Sequence, residues 1–138
     1  MAEQKFKTLS EEWLAVADEC LDDAEFLMAQ GRSTRSILNR AYFAMFYAMR
    51  AMLLTQGENL IRPLDAIKCF DGLVKTGWID KELSQMLHDA YELRLENDYR
   101  QVFPSTQMVT DGVVADARHF VNSARDLVYG PPESSTDS

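Results

Sequence analysis

Leu14, Ala17, Leu21, Ala24 and Met28 recur at steps of three and four residues and stop before Gly31, the rhythm of an amphipathic helix that buries one face. Thr8, Leu9, Ser10 and Glu11 have the form of a capping box, which predicts that this first helix starts there. Ser33 can cap a second helix running to about Gln56, ahead of Gly57. Between Ile37 and Leu54 only Asn39, Arg40 and Arg50 are strongly polar, so the second helix is apolar nearly all round. Such a helix belongs at the centre of a fold.

Pro63 suits the first turn of a third helix that carries Ile67, Phe70, Leu73 and Val74 and stops at Gly77. A fourth follows Asp80, with Leu83, Met86, Leu87, Ala90 and Leu93, and Pro104 forces it to finish near Tyr99 to Phe103. The stretch "PSTQMVTDG" reads as a polar loop. Beyond it Val113, Ala117, Phe120, Val121, Ala124, Leu127 and Val128 form the stripe of a fifth helix that Gly130 and Pro131 end. No segment alternates with the two-residue period of a strand. The prediction is an all-α fold, an antiparallel up-and-down bundle of four or five helices over residues 1–130, with a disordered tail at 131–138.

A chain of 138 residues with 46% hydrophobic and 26% charged residues can bury one sizeable core, as an ordinary globular domain does. The N-terminal "MAEQKFKTLSEEW" shows no apolar run of the secretory kind, and a mid-helix arginine in the second helix would cost about 2.5 to 3.5 kcal/mol in a bilayer. A cytoplasmic protein with no membrane span is expected. The net charge of −8 argues against a broad nucleic-acid-binding face, so any phosphate contact must be local. Cys20 and Cys69 fit reduced thiols, and no motif suggests a metal or a cofactor. The acidic run 17–25 reads as a solvated face.

One local cationic spot stands out in "RLENDYRQ", residues 94–101. Arg94 continues the stripe of Leu83, Leu87 and Ala90, so helical phase turns it toward the core. A guanidinium drawn out of water needs hydrogen-bonding partners, and Asn97 and Asp98 share its face. The second helix offers Arg40 in line with Ala44, Tyr47 and Ala51, small or flat residues that admit a close neighbour. These residues suggest a polar cluster of Arg40, Asn39, Tyr47, Arg94, Asn97 and Asp98 between the second and fourth helices. It reads either as a structural clasp or as a pocket for one phosphate group, with Arg40, Arg94 and Asn97 as the phosphate ligands.

At these residues the chain resembles the HEPN family, small helical domains named for higher eukaryotes and prokaryotes nucleotide-binding. "NRAYFAMFYAMRAML" (39–53), "CFDGLVKTGWIDKEL" (69–83) and "RLENDY" (94–99) carry the likeness, which covers roughly residues 10–129. The resemblance implies a homodimer, a toxin–antitoxin pairing with a cognate minimal nucleotidyltransferase, and RNA or nucleotide as ligand; many members are RNases. The family's RNase motif is an arginine followed after four to six residues by a histidine. Here Arg94 stands without that histidine, and Tyr99 occupies the position. A phenol is a poor general base near neutral pH. His88 points about 120° away from Arg94 and His119 lies off the fifth helix's stripe, so both read as surface histidines. If the chain cleaves RNA, Arg94 stabilises charge and Asp98 or Tyr99 orients the attacking group. The alternative is a noncatalytic dimeric scaffold in which the same cluster is structural.

Overall fold

The computed structural model describes residues 2–99 and 107–130, and for residues 2, 96–99 and 107 the backbone alone. Five helices follow one another: α1 (Ala2–Ala29), α2 (Thr34–Thr55), α3 (Pro63–Lys75), α4 (Lys81–Tyr99) and α5 (Gln107–Tyr129). There is no strand among the described residues, and the fold is the expected all-α bundle. No helix is long and apolar enough to cross a membrane among the described residues. The predicted tail at 131–138 lies outside them.

The nearly apolar α2 is the axis of the molecule and packs against each of the other four helices. Its alanines and methionines, from Ala41 through Met52, are fully buried, so neighbouring helices approach closely on every side. α1 and α5 complete the firmest part of the core with Leu14, Ala17, Leu21, Phe120, Val121 and Ala124. α3 is held more lightly: only Ala66 and Phe70 are buried, with Phe70 packed 5.8 Å, centre to centre, from Phe120.

The corners are set by local chemistry. At the end of α1, Gly31 N–H bonds Met28 O (3.1 Å) and Arg32 N–H bonds Leu27 O (2.9 Å), a glycine-terminated pattern that requires positive φ, here +64°. Ser33 then caps α2 in the predicted way, its hydroxyl accepting from Ser36 N–H at 3.2 Å. The same two-bond pattern, with Gly57 and Gly77 at its centre, ends α2 and α3.

Two helix starts differ from expectation. α1 begins at Ala2, not at the capping box: Ser10 is buried inside the helix, donating to Lys7 O at 2.8 Å, while Lys7 pairs with Glu11 at 3.2 Å. The preceding "AEQKFK" is rich in good helix formers, and the helix simply runs through the cap-like residues. α5 begins at Gln107, inside the stretch expected to be a loop, because Thr110, Val113 and Val114 are buried and their packing outweighs the turn-like sequence.

The acidic run 17–25 is not merely solvated. Asp18 receives Arg125 through two hydrogen bonds (2.6 and 3.2 Å) and Glu25 receives Arg118 Nε at 2.7 Å, so α1 and α5 are joined by a row of ion pairs. At the far end of the same pair Lys7 Nζ lies 5.9 Å from the centre of the Tyr129 ring, and a groove there is lined by Glu3, Phe6, Lys7, Leu54, Thr55 and Val128.

Candidate functional site

On α4 the buried stripe of Leu83, Leu87 and Ala90 gives way, one turn later, to Arg94, which is half-buried. Its guanidinium carbon lies 5.3 Å from the centre of the Tyr42 ring and 5.1 Å from that of Phe43, both on α2. Helical phase therefore draws the arginine inward, and aromatic faces receive it. Arg94 Nε is buried and has no hydrogen-bond partner among the described residues. Tyr42 is itself buried, and that burial pushes its phenol up to about 12 even though the Arg94 charge pulls the other way. The phenol is neutral across the physiological range.

The contact with Phe43 is one rung of a longer ladder. Phe43 stacks on Tyr47 (5.8 Å, 28°), Tyr47 on Trp13 of α1 (5.2 Å, 13°), and the Arg50 guanidinium carbon sits 4.3 Å from the Trp13 ring centre. The ring faces are largely taken by one another, and an arginine stands at each end of the ladder.

Arg40 and Tyr47 do not join Arg94 in one cluster. Arg40 Nε lies 4.0 Å from Asp23 Oδ2 on α1, while Tyr47 stacks on Trp13. The stripe of Arg40, Ala44, Tyr47 and Ala51 faces α1, and α4 packs instead on Tyr42 and Phe43. Small residues do mark a close helix neighbour, but the neighbour is the one adjacent in sequence. Asn39 turns with Arg40 toward the α1–α2 corner. The Cys20 thiol is pushed up by burial, partly offset by Arg40. Cys20 and Cys69 are both free.

Asn97, Asp98 and Tyr99 fall on the last turn of α4, where their side chains lie outside the described residues. The histidines are less idle than the sequence suggests. His88 Nε2 sits 2.9 and 3.2 Å from the two oxygens of Asp71, and Ser84 Oγ donates to Asp71 Oδ1 at 2.8 Å. This clasp ties α3 to α4. The one signal for it in the sequence is the four-residue spacing of Ser84 and His88, which puts both on one helical face. His119 Nε2, by contrast, is 3.6 Å from Glu82 Oε1 on an exposed flank.

The fold and the arginine-bearing end of α4 define a small helical domain, and comparison with known proteins gives its family. The HEPN domain matches residues 10–127. The chain belongs to the HEPN family. It is 31% identical over 119 residues to the UPF0332 protein of Thermotoga maritima, spanning 86% of this chain and 89% of that protein. Two proteins of Methanocaldococcus jannaschii are also similar: "Putative toxin MJ0605", 31% identical over 111 residues (79% of this chain, 81% of the relative), and "Putative toxin MJ0142", 30% identical over 98 residues (70% and 66%).

Proposed function

We propose that this HEPN protein is the toxin-like member of a two-component pair, a homodimer regulated by a cognate minimal nucleotidyltransferase, and that Arg94 contacts a phosphate of RNA or nucleotide. The observation that carries the reading is the position of Arg94. Its guanidinium is held by Tyr42 and Phe43, and its Nε is buried without a partner among the described residues. A cation fixed by ring faces keeps its N–H edges for an anion, and two oxygens of one phosphate can accept two N–H groups of a guanidinium side by side. The names of the Methanocaldococcus relatives support the toxin side of the reading.

Within it, Asn97 joins Arg94 in holding the phosphate, and Asp98 or Tyr99 orients the attacking hydroxyl. Tyr99 in place of the motif histidine makes RNA cleavage slow, since a phenol supplies little base at neutral pH. A noncatalytic dimeric scaffold is the second reading, favoured by the stacking of Arg94 on two rings, which gives the residue a structural role of its own.

The two are separated by incubating the purified protein with RNA beside Arg94→Ala, with folding of both checked by circular dichroism. The toxin reading expects slow cleavage, or nucleotide binding by calorimetry, that Arg94→Ala abolishes. Neither cleavage nor heat of binding in the unsubstituted protein leaves the scaffold.

A further inference from the structure

α1, α2 and α5 each pack against the other two, whereas α3 and α4 stand outside that trio. Among the described residues α3 packs on α2 and α4, α4 packs on α2, α3 and α5, and neither reaches α1. The seams differ in charge as well. α5 is fastened to α1 by the pairs Arg125–Asp18 and Arg118–Glu25. Between α4 and α5, His119 lies 3.6 Å from Glu82, while Asp89 and Asp116 bring like charges together: burial, and then the Asp89 charge, push the Asp116 carboxyl up. Inside the α3–α4 hairpin the fastening is tight. Asp71 accepts the Ser84 hydroxyl at 2.8 Å and holds His88 Nε2 at 2.9 and 3.2 Å, and the Gly77 corner closes with Trp78 N–H on Leu73 O at 3.1 Å. The clasp grips α3 more than one helical turn before that corner, so the two helices are tied at two separate points.

We propose that α3 and α4 form one clasped hairpin that swings against a fixed α1–α2–α5 core, and that this motion seats and unseats Arg94. The hairpin's hold on the core is apolar and short: Ala66 and Phe70 are buried from α3, Leu83, Leu87 and Ala90 from α4. A seam with few buried side chains opens at a lower free energy than the whole molecule. On the α2 side the hairpin is entered through residues 57–62, all exposed apart from the half-buried Leu60. Both rings that receive Arg94 belong to α2, so a hairpin that leaves α2 lifts the guanidinium off them. Through Asp71 and His88 a displacement of α3 becomes a displacement of α4. The motion does not depend on what Arg94 binds; only its regulatory consequence, access of an anion to the guanidinium, rests on the phosphate reading above.

The test is amide hydrogen exchange of the full chain in mild denaturant, read by mass spectrometry and repeated on Arg94→Ala, Asp71→Ala and the two combined. Arg94 and Asp71 are both partly exposed, and circular dichroism will verify that each variant folds. In the unsubstituted protein α3 and α4 should exchange together, roughly tenfold or more faster than the centres of α1, α2 and α5. Arg94→Ala should quicken α3 as well as α4, by roughly three- to thirtyfold, although the rings it leaves are on α2. With Asp71→Ala added, the same change should reach α4 alone. Four results overturn the proposal: α4 protected as fully as α2, α3 unmoved by Arg94→Ala while α4 quickens, an effect on α3 that survives loss of the clasp, or acceleration that spreads equally to α1. Should Asp71→Ala fail to fold, His88→Gln takes its place, and the first two results need neither. RNA and phosphate play no part in the readout, so failure here is distinct from failure of the phosphate reading.

Discussion

The guanidinium of Arg94 stands 5.1 Å from the centre of the Phe43 ring, a contact between α4 and α2 made at the position where the buried stripe of α4 turns polar. A desolvated cation over a ring is worth about 0.5 to 2 kcal/mol. A double-mutant cycle of Arg94→Ala and Phe43→Leu in urea denaturation is expected to give a coupling energy in that range. Strict additivity would mean that the two groups touch without stabilising each other, and the account of how Arg94 is held would fall.

Two glycines should respond to alanine with opposite signs. At Gly31 and at Gly112 an added Cβ meets nothing within 4 Å, so space does not distinguish them. Backbone conformation does. Gly31 has φ +64° at the corner of α1, and Gly31→Ala is expected to cost about 1 kcal/mol; Gly112 lies inside α5 at ordinary φ, and Gly112→Ala should stabilise by about 0.5 to 1 kcal/mol. Thermal unfolding of the pair checks this, and a gain at Gly31 would contradict the corner geometry.

Tyr42 makes stability depend on alkaline pH. Its folded-state pKa, about 12, lies above the ordinary 10.0, so between those values the folded chain keeps a proton that the unfolded chain has lost. The stabilisation is complete below about pH 10 and is lost as pH rises toward 12. Denaturation midpoints should therefore fall over that interval more steeply in the unsubstituted protein than in Tyr42→Phe. Identical slopes would place the phenol in an environment no drier than that of the unfolded chain.

Phe70 is the main apolar anchor of α3. Phe70→Ala should cost about 3 to 5 kcal/mol, the usual range for a fully buried phenylalanine, and the loss should first appear locally. Amide exchange is the discriminating measurement: α3 is expected to exchange far faster while α1, α2 and α5 retain protection at mild denaturant. Uniform loss of protection would show that α3 is as firmly integrated as the rest.

The architecture was legible where one residue pattern had one physical outcome. The apolar α2, the Ser33 cap, Pro63 at the start of α3 and the inward phase of Arg94 all belong to that class. Partner choice was not legible. The stripe of Arg40, Ala44, Tyr47 and Ala51 told of a close neighbour without naming it, and the neighbour is α1, so Arg40 pairs toward Asp23 and not with the Arg94 face. The link between Asp71 and His88 was hinted at by the shared face of Ser84 and His88 but its partner was not, because periodicity along one helix carries no information about what lies opposite. Cap-like Thr8 and turn-like Gly112 misled because local preference is weak beside the burial of Ser10, Thr110 and Val113.

The meeting of Lys7 with Tyr129 has a practical corollary for anyone handling the protein. Both outer helices start or finish beside the last turn of α2, whereas the arginine-lined corner sits at its first turn, and 22 helical residues separate the two by about 33 Å. The start of α1 and the end of α5 therefore lie at the opposite pole from Arg32, Arg35 and Arg40, so a label held at either helix end stays clear of that corner.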